Sequence, residues 1–383
     1  MFEHITDFIQ KTYKSKDFIS LHEPRFLGNE KKYVNECIDS TFVSSVGRFV
    51  NEFERNIEEY TGSKKATATV NGTAALHTSL LLAGVKKNDL VITQAVSFVA
   101  SCNAINYLGA EPIFLDISRR TLSICPHAIE DYLEENASLN NDGLTEHKKT
   151  KKIVRALVPM HTFGHPALLD EIREICTKWN IKLVEDSAES VGSFYKNQHT
   201  GTFGEFGALS FNGNKIITTG GGGMILSKNL EGGQKAKHIT TTAKVDHKYE
   251  FYHDAVGFNY RMPNINAALG IAQLELLDYF LYEKRKIAEV YKKHFSSSDF
   301  TFVDEPANCK SNFWLNSILC EDIKSRDVFL KETNDRGINT RPLWQLISSL
   351  PMYLECERDN LQNSIWLESR LVNLPSSVPQ KQS

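Results

Sequence analysis

A chain of 383 residues can build one large domain or two of ordinary size. Its 41% hydrophobic and 24% charged residues are those of a globular protein, and a net charge of −3 gives no global electrostatic case for nucleic acid or an anionic membrane. No apolar run reaches the length of a membrane span, the charge-mixed start "MFEHITDFIQKTYKSKDFIS" does not read as a signal peptide, and seven scattered cysteines without a CxxC pair indicate neither a disulfide framework nor a zinc site. Reduced thiols in a cytoplasm are the expectation.

In chain order, Ala66 to Val70 is a short strand-like run and Asn71-Gly72-Thr73 a turn with an N-cap candidate. Leu76, Leu80 and Ala83 then recur at helical spacing until Gly84 ends the helix. A strand "LVITQ" (90–94), a helix over 97–108 and a strand "PIFLDI" (112–117) follow. The stretch "ENASLNNDGLTEHKKTKK" is polar and without period, which predicts an exposed loop. "IVRALVPM" (153–160) is a nearly continuous apolar strand. The next helix puts Leu169, Ile172, Cys176 and Trp179 on one face, and "IKLVEDSAES" is a strand that turns polar at Glu185. This rhythm predicts a parallel sheet with helices packed on it and a site at the carboxyl ends of the strands. Asp186 and the Asn71-Gly72-Thr73 turn fall at such ends.

From residue 266 the rhythm changes. "NAALGIAQLELLDYFLYEKRKIAEVYKKHF" reads as one long amphipathic helix, with "EKRK" (283–286) as a solvated face. A strand "FWLNSIL" (313–319), a helix near 324–336 and "GINTRPLW" predict a smaller mixed domain. No internal repeat or low-complexity tract is present.

The run "SFNGNKIITTGGGG" sets Lys215 before four glycines. It is not a phosphate-loop lysine: Ile216 follows it, the glycines come after it, and "IITTGGGGMIL" reads as strand–turn–strand. Most lysines are solvated. The neighbours of this one are apolar or small, which predicts burial, and burial disfavours the charged amine and makes it nucleophilic. Consecutive glycines carry an entropic cost that makes sense where chain must approach a bulky group or another chain closely. The sequence leaves those two open. A lysine that binds pyridoxal phosphate needs a carboxylate for the pyridine nitrogen, backbone N–H groups at a helix N-terminus for the phosphate, and an apolar cover for the ring. Asp186, Gly72-Thr73-Ala74 and Phe98 supply one of each. Singly, they would read as a helix cap, an N-cap and a core residue. His161 and His165 could share zinc only on a helix, and Gly164 and Pro166 predict a loop instead.

With "VNGTAALHTSLLLAGV", "VEDSAESVGSFYKNQHTGTFGEFGALSFNGNKIITTGGGGMIL" and "GFNYRMPNINAALGIAQL", the chain resembles the DegT/DnrJ/EryC1/StrS family of sugar aminotransferases over nearly its whole length. The resemblance implies an α/β fold of fold-type I, aspartate aminotransferase-like. A mostly parallel central sheet carries helices on both faces, beside a smaller C-terminal α/β domain. It implies an N-terminal segment over 1–40, a large cofactor domain over 41–265 and a small domain over 266–383. Lys215 then matches the lysine bonded to pyridoxal 5'-phosphate and Asp186 the acid on the pyridine nitrogen. Glu189 matches the contact to the ring's 3-hydroxyl, and Phe98 the stacked aromatic. Gly72, Thr73, Ala74 and Ser210 match phosphate contacts. Asn259 matches a phosphate ligand reaching across a homodimer, and Tyr260, Arg261 and His161 fall at substrate-binding positions. "FVSSVGRFV", "VPMHTFGHP" and "TTTAKV" resemble the branch of the legionaminic-acid pathway. Its members move the amino group of L-glutamate to C4 of a nucleotide-linked 4-keto-6-deoxy-N-acetylhexosamine, here expected to be UDP-linked rather than GDP-linked. The product would be a 4-amino-4,6-dideoxy sugar for legionaminic acid, bacillosamine or another surface glycan. The lysine argues against sugar dehydration, because the similar dehydratases carry histidine there. The intact lysine, acid and turn argue against a non-catalytic module. The chain stops at "PQKQS", which predicts an abbreviated small domain.

Overall fold

In the computed structural model, which describes residues 2–379, seven strands form the central sheet. They are β1 (Lys65–Thr69), β2 (Leu90–Gln94), β3 (Glu111–Leu115), β4 (Val154–Val158), β5 (Lys182–Asp186), β6 (Phe206–Ser210) and β7 (Gly223–Ser227). Their order in space is β1-β7-β6-β5-β4-β2-β3. All pairs among β2 to β6 are parallel, whereas β7 runs antiparallel to both β6 and β1. The carboxyl ends of β1, β2, β4, β5 and β6 therefore share one edge with the amino end of β7, where Gly223 lies opposite both Thr69 and Ser210. Met1 and nearly all of "PQKQS" lie outside the described residues.

The chain enters through α1 (Glu3–Tyr13), α2 (Glu30–Asp39) and α3 (Arg48–Thr61). Between the strands run α4 (Gly72–Leu82), α5 (Val99–Tyr107), α6 (Pro126–Asn136) and α7 (Leu169–Lys178). After β7 come α8 (Leu230–Thr240), α9 (Asn264–Leu274), α10 (Leu277–Phe295), α11 (Ile323–Asp335) and α12 (Gln362–Glu368). Successive strand residues point to opposite faces. Val91, Val184, Ala208 and Ile225 pack with Leu76 and Leu80 of α4, Ile105 of α5 and Ala236 of α8. Their neighbours Ile92 and Leu183 pack with Ile129 of α6 and Ile172 of α7, while Leu209 and Met224 pack with Phe53 and Ile57 of α3. Burial on both faces is what makes these strands read as apolar runs rather than alternations.

A smaller antiparallel sheet orders Thr301–Phe302, Asn316–Leu319, Leu371–Leu374 and Arg341–Pro342. Against it pack Tyr291 and Phe295 of α10, Phe329 of α11, and Ile5 and Ile9 of α1. Among the described residues no helix is long and apolar enough to cross a membrane.

Five sequence expectations are corrected. The long helix is two helices, because Leu276 leaves the helical region (φ −107, ψ 4) and the Glu275 carboxylate is held by Asn29 and by Tyr33 Oη at the start of α2. The "EKRK" face is not solvated throughout, since Lys284 is 1% exposed. The polar stretch after α6 is a hairpin, Ala137–Leu139 with Thr145–His147. Two of its polar residues are buried: the Thr145 hydroxyl donates to the Trp179 carbonyl, and His147 Nε2 meets Glu357 at 3.0 Å. Ile216 and Ile217 are buried in an irregular loop rather than a strand. The strand of "FWLNSIL" begins only at Asn316, after Phe313 adopts φ +46 and turns Trp314 and Leu315 into the core.

Candidate active site

The carboxyl edge of the sheet carries a cavity of about 370 Å³, within the usual size of a small-molecule site. At the end of β1, Asn71 is the true N-cap of α4, its Oδ1 accepting from the Ala74 N–H at 2.7 Å. Thr73 lies inside the first turn rather than at the cap. The N–H groups of Gly72 and Thr73 have no intrahelical partner, and the helix dipole favours an anion beside them. Ser210, ending β6, closes on the same turn. A Cβ on Gly72 would stand 2.9 Å from Ser210 Cβ, so only glycine lets the two meet. A Cβ on Gly223 would stand 2.3 Å from the Asn71 carbonyl oxygen. At Gly223 the close approach is to the Asn71-Gly72 backbone of the same chain, which neither reading of the glycine run named.

At the end of β5, Asp186 is 5% exposed and fixed by two donors. The Ser101 hydroxyl donates to its Oδ2 at 2.6 Å and the Ala188 N–H to its Oδ1 at 3.1 Å. Ser101 sits on the first turn of α5, whose N-cap position is Phe98, a ring left 52% exposed over the cavity.

Lys215 occupies the loop between β6 and β7, its side chain 14% exposed. Its Nζ lies 3.3 Å from Glu189 Oε1 and 3.9 Å from the centroid of the Trp314 ring. Glu189 Oε2 accepts from the Phe163 N–H at 2.9 Å. Burial pushes the Glu189 carboxyl up to about 7; Lys215 and the Phe163 N–H oppose that rise and Asp186 adds to it.

Gly72, Thr73, Phe98, Asp186, Glu189, Ser210 and Lys215 are thus brought to one cavity. Other expected site residues are not. The Ala74 N–H is taken by Asn71. His161 is fully buried below the site, its Nε2 at 3.1 Å from Glu185 and its Nδ1 accepting from the Ala167 N–H at 3.1 Å. Asn259, Tyr260 and Arg261 lie beyond β1, off the cavity wall. There the Tyr260 carbonyl accepts from the Val70 N–H at 2.9 Å, and the Arg261 guanidinium turns to Asn259 Oδ1. Sequence reasoning missed Ser101, Trp314 and Trp344, which also line the cavity. The available signal was the clustering of three of the chain's four tryptophans, Trp314, Trp344 and Trp366, around the strands of the smaller sheet.

A phosphate cradle, a fixed carboxylate, a lysine and an aromatic cover fit pyridoxal phosphate. Among the described residues no group of three or more His, Cys, Asp or Glu is placed to hold a metal ion.

Residues 26–382 match the DegT/DnrJ/EryC1/StrS aminotransferase family. The chain belongs to that family. This aminotransferase depends on pyridoxal phosphate. It is 37% identical to a GDP-perosamine synthase of Escherichia coli O157:H7 over 94% of this chain and 93% of that one. It is 34% identical to a GDP-perosamine synthase of Caulobacter vibrioides over 90% of this chain and 89% of that one. Among solved structures, the aminotransferase TlmJ of Streptoalloteichus hindustanus superposes with a TM-score of 0.85 at 26% identity, over 94% and 93% of the two chains. The Helicobacter pylori aminotransferase PseC gives 0.84 at 24% identity, over 94% of each chain, a likeness of fold. The aminotransferase has the mixed α/β fold-type I architecture implied by the resemblance.

Proposed function

We propose that this aminotransferase moves the amino group of L-glutamate to C4 of a nucleotide-linked 4-keto-6-deoxy sugar, giving a 4-amino-4,6-dideoxy sugar. The observation that carries the reading is the convergence of Lys215, Asp186 and Glu189 with the Gly72-Thr73 turn around one cavity. The GDP-perosamine synthases among its relatives support a GDP-linked acceptor as the first to test. The motifs "FVSSVGRFV" and "TTTAKV" favour a second reading, a UDP-linked N-acetyl sugar on the way to legionaminic acid or another surface glycan.

Pyridoxal phosphate supplies an electron sink for the pair left when the donor's Cα–H bond breaks. The chain's own residues do the rest. Lys215 Nζ would hold the cofactor covalently, and as a free amine it would serve as the base that takes the proton from the donor's Cα and as the acid that gives a proton back. Asp186, kept in one orientation by Ser101 and Ala188, holds the proton on the pyridine nitrogen. Glu189 meets the ring's 3-hydroxyl. The Gly72 and Thr73 N–H groups and the Ser210 hydroxyl hold the phosphate, and Phe98 covers the ring and excludes water from one face.

Asn259, Tyr260 and Arg261 lie off their own cavity and are proposed to serve the site of a second copy in a homodimer. The seven free thiols suit a reducing cytoplasm.

Turnover with L-glutamate against a panel of GDP- and UDP-linked 4-keto sugars, read by mass of the product, tests the reading. Amino sugar from one member is expected. A single equivalent of 2-oxoglutarate, with no amino sugar from any member, would overturn the acceptor class and leave the aminotransferase reading standing.

A further inference from the structure

Trp314 comes from the segment leading into the small sheet, yet its ring covers Lys215 at 3.9 Å. Every polar group of Trp314 is tied. Its indole N–H donates at 2.7 Å to the carbonyl of Asn214, the residue before Lys215. Its main-chain N–H donates at 2.8 Å to Asn312 Oδ1. Asn312 Nδ2 in turn donates to the carbonyls of Glu189 at 2.8 Å and Val191 at 2.9 Å. The circuit closes where Glu189 Oε1 meets Lys215 Nζ at 3.3 Å. One more group holds it. The carbonyl of Trp314 accepts from Lys284 Nζ at 3.1 Å, and Lys284 donates also to the carbonyl of Ser376 at 2.5 Å.

Lys284 is an expensive way to fix a carbonyl. It is 1% exposed, and burial holds its amine well below the usual lysine range. A buried polar group and a long ordered side chain both oppose folding unless the contact serves something. What it serves is visible: Trp314 sits between Lys284 and Lys215. A free lysine amine samples many rotamers, and proton transfer at Cα requires one position. An indole face favours an ammonium group and walls off the other rotamers.

We propose that Trp314 is a positioning residue that seats the Lys215 amine against Glu189, and that buried Lys284 holds Trp314 in place for it. The proposal rests on Lys215 being the cofactor lysine.

Its test uses cofactor-free protein, so that it does not depend on the reaction assigned. Trace acetylation, read by peptide mass, compares Lys215 with the exposed Lys228 in wild type, Trp314→Leu, Trp314→Phe and Lys284→Met. Uncovering Lys215 in Trp314→Leu is expected to raise its relative labelling about tenfold, with Trp314→Phe within about twofold of wild type. Lys284→Met is expected to move labelling the same way by a few fold. In the loaded enzyme it should lower kcat about tenfold while KM for L-glutamate stays unchanged. Circular dichroism checks that each variant folds, and Lys284→Met nearly conserves volume. Wild-type labelling of Lys215 in folded Trp314→Leu would overturn the proposal, as would a Lys284→Met enzyme altered only in melting temperature.

Discussion

Replacing Gly223 by alanine isolates the role of the glycine run. The added Cβ would lie 2.3 Å from the Asn71 carbonyl oxygen, 2.4 Å from its carbon and 2.7 Å from the Gly72 nitrogen, where ordinary contact begins at 3.4 Å. All three are backbone atoms, one side anchored by the β6–β7–β1 ladders and the other by the cap of α4. No flexible side-chain end can yield, so the turn must retreat by about 1 Å, and overpacking of this kind costs about 1–3 kcal/mol. The retreat moves the N–H groups proposed to hold the phosphate, and a misplacement of about 1 Å can weaken a site up to about a hundredfold. Gly223→Ala should therefore weaken pyridoxal phosphate binding by about ten- to a hundredfold, measured by titrating cofactor-free protein and following visible absorbance. Gly221→Ala is the control. Its Cβ would meet only the Val70 carbonyl oxygen at 4.0 Å, so its stability in urea should stay within about 0.5 kcal/mol of wild type and its binding unchanged. Wild-type affinity in Gly223→Ala, or equal damage in both variants, would refute the packing argument.

Glu189→Gln should change how stability depends on pH. The folded carboxyl titrates at about 7, above its ordinary 4.5, so the folded state binds more protons between those values and wild type loses stability as pH rises through that window. The variant lacks that slope. The stability difference between variant and wild type, from urea melts of cofactor-free protein, should climb by up to about 3 kcal/mol from pH 4.5 to pH 8, and a flat difference would contradict the burial argument. Glu185→Leu should be severe. Its carboxylate accepts from the N–H groups of Gly201, Phe203 and Gly204 at 2.7, 2.7 and 2.9 Å and faces His161 Nε2 at 3.1 Å. Orphaned buried donors cost about 1–3 kcal/mol each, so a loss on the order of 4–6 kcal/mol is expected, and one under about 2 kcal/mol would show that the loop re-pairs them.

The central sheet was legible because strands buried on both faces are continuous apolar runs, as in "IVRALVPM". That Asp186 and the Gly72 turn end strands was legible from the apolar runs before them, and Lys215 stood out by the apolar and glycine neighbours of its loop. The failures share one cause: periodicity does not register what a polar group bonds to. Lys284 scans as solvated helix, although its amine finds two buried carbonyls. Thr145 and His147 scan as loop, although each has an interior partner. The break at Leu276 leaves the apolar spacing from Leu274 to Leu277 and Leu281 undisturbed, and the residues that hold it, Asn29 and Tyr33, lie at the start of α2. Ile216 and Ile217 are β-branched and apolar in a loop that is itself core. Trp314 escaped because it is 100 residues from its partner Asn214 and belongs to the segment leading into the smaller sheet. His161 was expected at a substrate-binding position, but it is buried and its bonds run to Glu185 and Ala167 rather than to the cavity.

The central claim is that Lys215 is the residue that carries the cofactor. Purified protein loaded with pyridoxal phosphate, reduced with borohydride and digested, should yield one peptide heavier by the reduced cofactor, with the added mass on Lys215. Lys215→Ala should give no such peptide and no turnover. Cofactor mass on another lysine, or wild-type turnover in Lys215→Ala, would contradict the account.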